Sequence, residues 1–387
     1  MKSKGTFVVV LAVLLCGALV LAGCSKSNTG SSTSGKTINI GWVAPLTGTA
    51  ADDGNQMLNG AKRAASEINA AGGINGAQIT LMPQDDQSNP TEAANIATKF
   101  TADSSIVAVL GNYNSSCVLA GAPIYDQAML PVIHVGTSPE FSTMDIPYLF
   151  RISMTDAFQG GFVTDWMVSD GHKNVAIMYE NDDYGNGLKS VVQTEMTKDG
   201  GTVTGTYSYD LGQTKDFTPL LTSIKGSGAN AIFIGGLYTE GALICKQAQQ
   251  LGMTLPFYGT DGLYEQDLIT LGGSAVNGIK VSGLFLPNST VPAVAAFVAS
   301  YKAAYNNSTP GTYAALDYDA MKLLAQGITQ VGTDHQKLQA WLANMPAPYA
   351  GVTGSLSFNA QHDCARATVN KLTVQNGQWV LFTPPTT

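Results

Sequence analysis

Short runs of consecutive apolar residues alternate with helix-length amphipathic stretches along most of this chain, and the alternation starts over near the middle. The first series reads as a strand over 38–43, a helix over 56–71, a strand over 78–82, a helix from Thr91, a strand over 106–110, a helix from Ser115 and a strand over 131–135. A strand that is apolar on both faces must be covered on both faces, and the stretches between supply the cover. This is the βαβ rhythm of a parallel sheet. In the first helix Met57, Ala61, Ala64, Ala65 and Ile68 share one face, and Gly72-Gly73 marks its end.

After Phe150-Arg151 the rhythm restarts: a helix from Asp156, a strand over 174–179, a helix from Gly187, a strand over 202–207, a helix near Phe217, a strand over 231–234, a helix from Glu240, and short strands near Phe257 and Ile279. The remaining segments, helices from Val291 and Tyr313 and a late strand pair over 354–358 and 371–382, are too few for a third domain and complete the first two. The expected fold is α/β, with two doubly wound parallel-sheet lobes joined by a hinge that the chain crosses more than once. One lobe takes 37–151 and 283–353, the other 152–282 and 354–387.

The N-terminus carries an export signal. Lys2 and Lys4 precede sixteen apolar residues, 7–22, a run shorter than the ~20 of a spanning helix and interrupted by Gly17. Leu21-Ala22-Gly23-Cys24 resembles the lipobox of bacterial lipoproteins, which implies that 1–23 is removed and Cys24 is lipidated. Residues 24–36 then form a polar, aperiodic tether. The mature chain is expected outside the cytoplasm, anchored through lipid. Removing 1–23 takes two of 20 basic residues and no acid, leaving 18 against 28 acidic ones, a net charge of -10. Such a surface disfavours nucleic acid and anionic lipid as partners.

Of five cysteines, Cys16 leaves with the signal and Cys24 takes the lipid. Cys117, Cys245 and Cys364 are left, an odd number that permits one disulfide of unspecified pairing or three buried thiols.

Several motifs mislead. The string 30–37 (GSSTSGKT) matches a phosphate loop, but it sits in the tether and runs into a strand, whereas that loop must follow a strand and open a helix. His362-Asp363-Cys364 holds a base, an acid and a nucleophile whose adjacent side chains diverge, and Cys117 with His134 is a weaker version of the same idea. Asp182-Asp183-Tyr184-Gly185 lacks the third ligand and the bidentate glutamate of a calcium loop. No spacing suggests zinc, and no cofactor or metal is expected.

In doubly wound sheets ligands sit beyond the carboxyl ends of the strands. Four segments there carry polar or aromatic side chains: 112–116, where Ser115 and Ser116 also suit helix capping; 135–140; 183–185; and 260–262. A helix start with hydroxyls is a ready carboxylate site, and Asp261 suits a cation.

Segments 41–48 (GWVAPLTG) and 69–76 (NAAGGING), Asp85-Asp86, Asn114-Ser115-Ser116, Tyr184-Gly185 and Lys246-Gln247-Ala248 together resemble the type I periplasmic solute-binding proteins of branched-chain amino-acid ABC transporters. The resemblance implies that Ser115, Thr137 and the backbone of Val135 bind an α-carboxylate, that Asp261 faces the α-ammonium, and that Tyr184 closes over it from the second lobe. Three departures concern the side-chain pocket. Asp53 stands where aliphatic-binding relatives carry an aromatic residue, Leu237 replaces a cleft tyrosine with Tyr238 one place along, and Ser88 and Asn114 replace a disulfide. Tyr113, Tyr238, Tyr264 and Tyr313 are candidates for an aromatic lining, and Asp53 in that lining would favour a polar or basic side chain over leucine.

The function expected is that of a lipid-anchored, monomeric binding protein that captures an amino acid, branched-chain or polar, and delivers it to ABC permease subunits without catalysing a reaction. A tethered sensor of the same fold is the alternative.

Overall fold

Strand β1 (Thr37–Ala44) is the inner seam of the first lobe, and Ile40, Trp42, Val43 and Ala44 are fully buried because helices cover both faces. The computed structural model describes residues 36–365 and 369–384. The export signal, Cys24 and the tether up to residue 35 lie outside the described residues. Thr37 opens a strand, as expected of the end of the phosphate-loop-like string.

The first lobe continues through α1 (Ala51–Ala70), β2 (Gln78–Asp85), α2 (Pro90–Ala102), β3 (Ile106–Gly111), α3 (Ser115–Gln127), β4 (Val132–His134) and β5 (Leu149–Arg151). Its five strands run in the order β2-β1-β3-β4-β5, all parallel. The second lobe runs through α4 (Asp156–Ser169), β6 (Asn174–Glu180), α5 (Asp183–Lys198), β7 (Thr202–Tyr209), α6 (Thr218–Lys225), β8 (Ala231–Gly235), α7 (Tyr238–Gln250), β9 (Phe257–Gly259), α8 (Gln266–Gly272) and β10 (Lys280–Gly283). Its parallel strands run β7-β6-β8-β9-β10, the same winding as the first lobe. The restart of the sequence rhythm after Arg151 is therefore a repeat of the topology.

Helices α9 (Pro292–Ala304), α10 (Thr312–Val331) and α11 (His335–Ala343) come next in the chain. α10 lies along α1 so closely that a Cβ on Gly60 would sit 2.0 Å from the carbonyl oxygen of Ala314. Trp42 donates from Nε1 to Asp317 on α10, 2.7 Å away and fully buried, which fastens α10 to the first sheet.

The late strands pair differently from the sequence expectation. Residues 354–358 and 371–382 do not pair with each other. β12 (Gly354–Leu356) pairs with β11 (Tyr349–Gly351), a strand without an apolar run of its own, and the Asp319 carboxylate accepts from the amides of Val352 and Thr353 between them. β13 (Asn370–Gln375) and β14 (Gln378–Leu381) form a hairpin that extends the second sheet antiparallel to β10. Its two-residue turn, Asn376-Gly377, has φ 52° and 73°, a left-handed pair that Asn and Gly adopt at low cost.

Other differences are local. α1 starts at Ala51 rather than residue 56, because Asp52 and Asp53 suit the positive end of a helix although the apolar face begins only at Met57. α5 starts at Asp183 rather than Gly187, since the Asp182 side chain accepts from the amide of Gly185 and caps it. Segment 183–185 is thus a helical turn and not a loop. α8, α11 and β5 are too short to declare a period.

The chain crosses between lobes after β5, after β10 and after β12, and the third crossing touches the first. Arg151 donates its amide to the carbonyl of His362 and accepts from the amide of Cys364, and Phe150 stacks on His362. Such short crossings let two rigid lobes rotate.

Candidate functional site

In the first lobe the carboxyl ends of β3 and β4 place two loops side by side. Ser115 opens α3 as its first helical residue, and its Oγ accepts from the amide of Ser138 at 3.2 Å instead of capping. Ser116 accepts from the amide of Asp183 on the opposite lobe at 3.3 Å, so neither serine caps its own helix. The free amides at the start of α3, with the hydroxyls of buried Ser115 and Thr137, make a wall of donors. Val135 is buried in the same loop.

The Thr137–Ser138 backbone is held from behind by Arg151, whose Nη1 donates to both carbonyls at 2.7 Å. Its Nη2 lies 2.6 Å from the Asp363 carboxylate. Asp363 thus belongs to a support for this loop and not to a nucleophile relay with its neighbours. In the sequence Arg151 marks only the boundary between the halves. The arginine charge nearby adds to burial in holding His134 neutral, far below the ordinary imidazole value.

The second lobe presents a wall of opposite character. Asp261, 2% exposed, accepts on Oδ1 from Gln159 at 2.8 Å, from its neighbour Gly262 at 3.0 Å and from the Tyr184 hydroxyl at 3.3 Å. Burial raises its pKa, opposed by these bonds and by the Tyr313 hydroxyl of the first lobe. Asp156, fully buried beside it, is pushed up to about 8, first by burial and then by the Asp261 charge. Burial of two acids side by side favours their protonated forms, and a cation placed against them would favour ionisation.

Between the walls lies a small cavity lined by Tyr113, Asn114, Ser115, Thr137, Glu180, Tyr184, Leu237 and Tyr313. Tyr113 and Tyr313 meet edge to face, ring centres 4.9 Å apart. The cavity is about 20 Å³, room for about one water, so a larger solute enters only when the lobes part.

Of the residues expected from sequence, Ser115, Thr137, Tyr184, Tyr113 and Tyr313 line this cavity, while Val135 and Asp261 stand directly behind the lining. Asp53 does not line it. It is fully buried behind Tyr113, whose hydroxyl donates to Oδ2 at 2.7 Å, so its carboxylate aims a tyrosine and does not face a solute. Tyr238 and Tyr264 also lie elsewhere. Tyr238 reaches the carbonyl of Thr49 across the lobes at 3.3 Å, and Tyr264 donates to the carbonyl of Phe285 at 2.8 Å. Glu180 escapes sequence reasoning; its only signal is an acid ending a buried strand. Cys117 and Cys245 are buried free thiols. Among the described residues, no group of three or more His, Cys, Asp or Glu is placed to hold a metal.

The model of the periplasmic binding protein family matches residues 37–378. The chain belongs to that family. It is 31% identical to an amino acid binding protein of Pseudomonas aeruginosa over 79% of its own length and 82% of that protein. It is 30% identical to Leu/Ile/Val-binding protein homolog 2 of Brucella abortus, covering 91% of each. Among solved structures, it resembles the branched-chain amino acid transporter substrate binding protein LivJ of Streptococcus pneumoniae, in complex with isoleucine. The TM-score is 0.82 at 30% identity, over 89% of this chain and 98% of that one. Family membership makes the chain an extracytoplasmic solute-binding protein and not an enzyme, and the two similarly wound lobes are the fold it shares with these structures.

Proposed function

We propose that the protein captures an α-amino acid between its lobes and delivers it to the permease of an ABC transporter, held at the membrane by lipid on Cys24. The observation that carries the reading is the pairing of opposite walls around one cavity: amides and hydroxyls at Ser115 and Thr137 line it from one lobe, and Tyr184, bonded to the buried carboxylate of Asp261 directly behind it, lines it from the other. A zwitterion presents both complements a few ångströms apart, and burying either charge alone is costly. The names and ligand of the similar proteins point the same way.

In this reading the α-carboxylate takes the start of α3 with Ser115, Thr137 and the Val135 backbone. The α-ammonium takes the place of the Tyr313 hydroxyl on Asp261, and Tyr184 closes over it. The lobes comprise 37–151 with 283–353, and 152–282 with 354–387, and closure buries the ion pairs away from water. The protein works as a monomer without a cofactor.

Titration calorimetry with the twenty amino acids on protein refolded free of ligand tests this. Truncating one partner of a buried charge pair costs ~2 to 5 kcal/mol, so Asp261→Ala should weaken binding by roughly thirtyfold to several thousandfold. Ser115→Ala removes one bond to a charged group, a cost of ~1.5 to 3 kcal/mol. Near-parental affinity in folded Asp261→Ala would overturn the assignment of the ammonium site.

A further inference from the structure

The second sheet reverses its order between β6 and β8, and the crevice beyond their carboxyl ends is where a doubly wound lobe takes its ligand. Glu180 is the last residue of β6 and Leu237 follows β8 by two residues, and both line the cavity between the lobes. Glu180 is 1% exposed, and its Oε2 has no hydrogen-bond partner. Asn114, 8% exposed, lines the same cavity from the first lobe, and its carboxamide oxygen is also without a partner. The carboxamide oxygen is an acceptor, and the Glu180 carboxyl becomes one when a neighbouring cation ionises it.

Among the described residues, the charged groups that act on Glu180 are Asp182 and Glu240, both acids; Asp182 also hydrogen-bonds the Glu180 carboxyl side chain to side chain, and the Oε2 of fully buried Glu240 and the hydroxyl of Tyr209 are unpartnered. Burial, with these two acids, drives its pKa well above the ordinary value. Leaving buried acceptors unmatched is costly, and a hydrocarbon occupant would leave them so. A donor placed between Glu180 and Asn114 relieves one on each lobe and favours closure.

We propose that the cavity selects an amino acid whose side chain ends in N–H donors, an ammonium or a carboxamide, bound by Glu180 of one lobe and Asn114 of the other, with Glu180 as the specificity-determining residue. Leu237 packs on the aliphatic stem. The inference rests on the amino-acid reading above and gives that reading its side-chain class.

Competition calorimetry with leucine, ornithine and glutamine on the parent, Glu180→Gln, Glu180→Leu and Asp261→Ala tests it. The parent should prefer ornithine or glutamine to leucine by about tenfold or more. Glu180→Leu should lower the affinity for the preferred ligand by about tenfold to a hundredfold and raise that for leucine. Glu180→Gln keeps the side-chain volume. It should weaken ornithine while leaving glutamine within about threefold, which separates ammonium from carboxamide. Thermal unfolding without ligand establishes that each variant is folded, and loss of an unmatched buried acid should leave the melting temperature unchanged or higher. A parent that prefers leucine, with both Glu180 variants keeping that preference, overturns the inference, while loss of leucine binding in Asp261→Ala leaves the amino-acid reading standing. If no α-amino acid binds the parent, both fall.

Discussion

Removing the Arg151 guanidinium should unfold the protein more readily than any surface change, because three segments converge on it. The side chain is 1% exposed. Nε donates to Asp363 at 2.7 Å, Nη1 to the carbonyls of Thr137 and Ser138 at 2.7 Å each, and Nη2 to the Ser142 hydroxyl at 2.7 Å. Arg151→Met keeps most of the stem but leaves Asp363 a buried carboxylate facing only neutral groups and takes the donor from Ser138. Breaking a buried pair by removing one partner costs about 3 to 5 kcal/mol. Replacing both partners by apolar groups is far milder, so Arg151→Met with Asp363→Leu should recover a substantial part of the loss. Recovery stays incomplete because the Ser138 carbonyl still lacks its donor, at about 1 to 3 kcal/mol, whereas Thr137 keeps the Asp156 amide. Urea unfolding of the parent, both single variants and the double variant gives the cycle. A loss under about 1 kcal/mol in Arg151→Met, or a double variant that loses the sum of the singles, would refute the argument. Because Arg151 also fixes the Thr137 loop, the folded fraction of Arg151→Met should bind amino acids more weakly than the parent.

Gly60→Ala should destabilise the first lobe by about 1 to 3 kcal/mol, since its Cβ would lie 2.0 Å from the Ala314 carbonyl oxygen and push α1 off α10; unchanged urea unfolding would count against that contact. Stability should fall as pH rises from about 6.5 to 8.5. Asp156, held near 8, and Asp317, held near 7, keep protons in the fold that the unfolded chain has released at about pH 4; buried His134 is neutral in the fold, and the loss of its remaining unfolded-state proton above about 6.5 is a smaller effect of opposite sign. Asp156 alone contributes about 2 kcal/mol of that fall, and a melting temperature that rises over this window would refute the sign. Replacing Cys24 with Ser should release the protein from the membrane fraction or leave the precursor uncleaved; a variant processed and pelleted like the parent would remove the lipid anchor from the reading.

The parallel strands are legible in the sequence because each is buried on both faces and so reads as an apolar run, which is why 38–43, 106–110 and 231–234 lie inside β1, β3 and β8. Helix starts are less legible. Asp52-Asp53 and Asp183 begin helices through capping and charge before the apolar period appears, and that first turn on α5 carries Tyr184 into the cleft. Pairing of β11 with β12 is not legible because it runs through the Asp319 carboxylate, which has no period, whereas the β13–β14 hairpin does carry a local signal in Asn376-Gly377, inside the single run 371–382. The same limit governs the site. Ser115, Thr137 and Asp261 can be placed at strand ends by the winding rule, but the direction of Asp53 depends on where the Tyr113 hydroxyl sits, and Arg151 and Asp363, 212 positions apart, meet only in space.

Among the described residues the contacts between the lobes are few and weak, and in the proposed reading a solute tips the hinge toward the closed form. Tyr238 and Thr239 reach the Thr49 carbonyl at 3.3 and 3.4 Å, and the Asp183 amide reaches Ser116 at 3.3 Å, all longer than a typical hydrogen bond of ~2.9 Å. Gln56 bonds Glu265 at 2.9 Å. Neutral bonds of this kind contribute about 0.5 to 1.5 kcal/mol each. Against them stands the burial of Asp53, Asp261, Glu180 and Glu265, which raises the pKa of all four. Moving a two-state hinge from mostly open to mostly closed takes about 5.5 kcal/mol of differential binding. An α-carboxylate on the first lobe and an α-ammonium on the second contribute charged hydrogen bonds of about 1.5 to 3 kcal/mol each, and both are complete only when the lobes meet. In that reading a solute with both ends supplies about 3 to 6 kcal/mol, between half and all of that difference. In the proposed reading, one lacking the ammonium would engage the first lobe and leave Asp261 uncompensated, so the hinge should stay open.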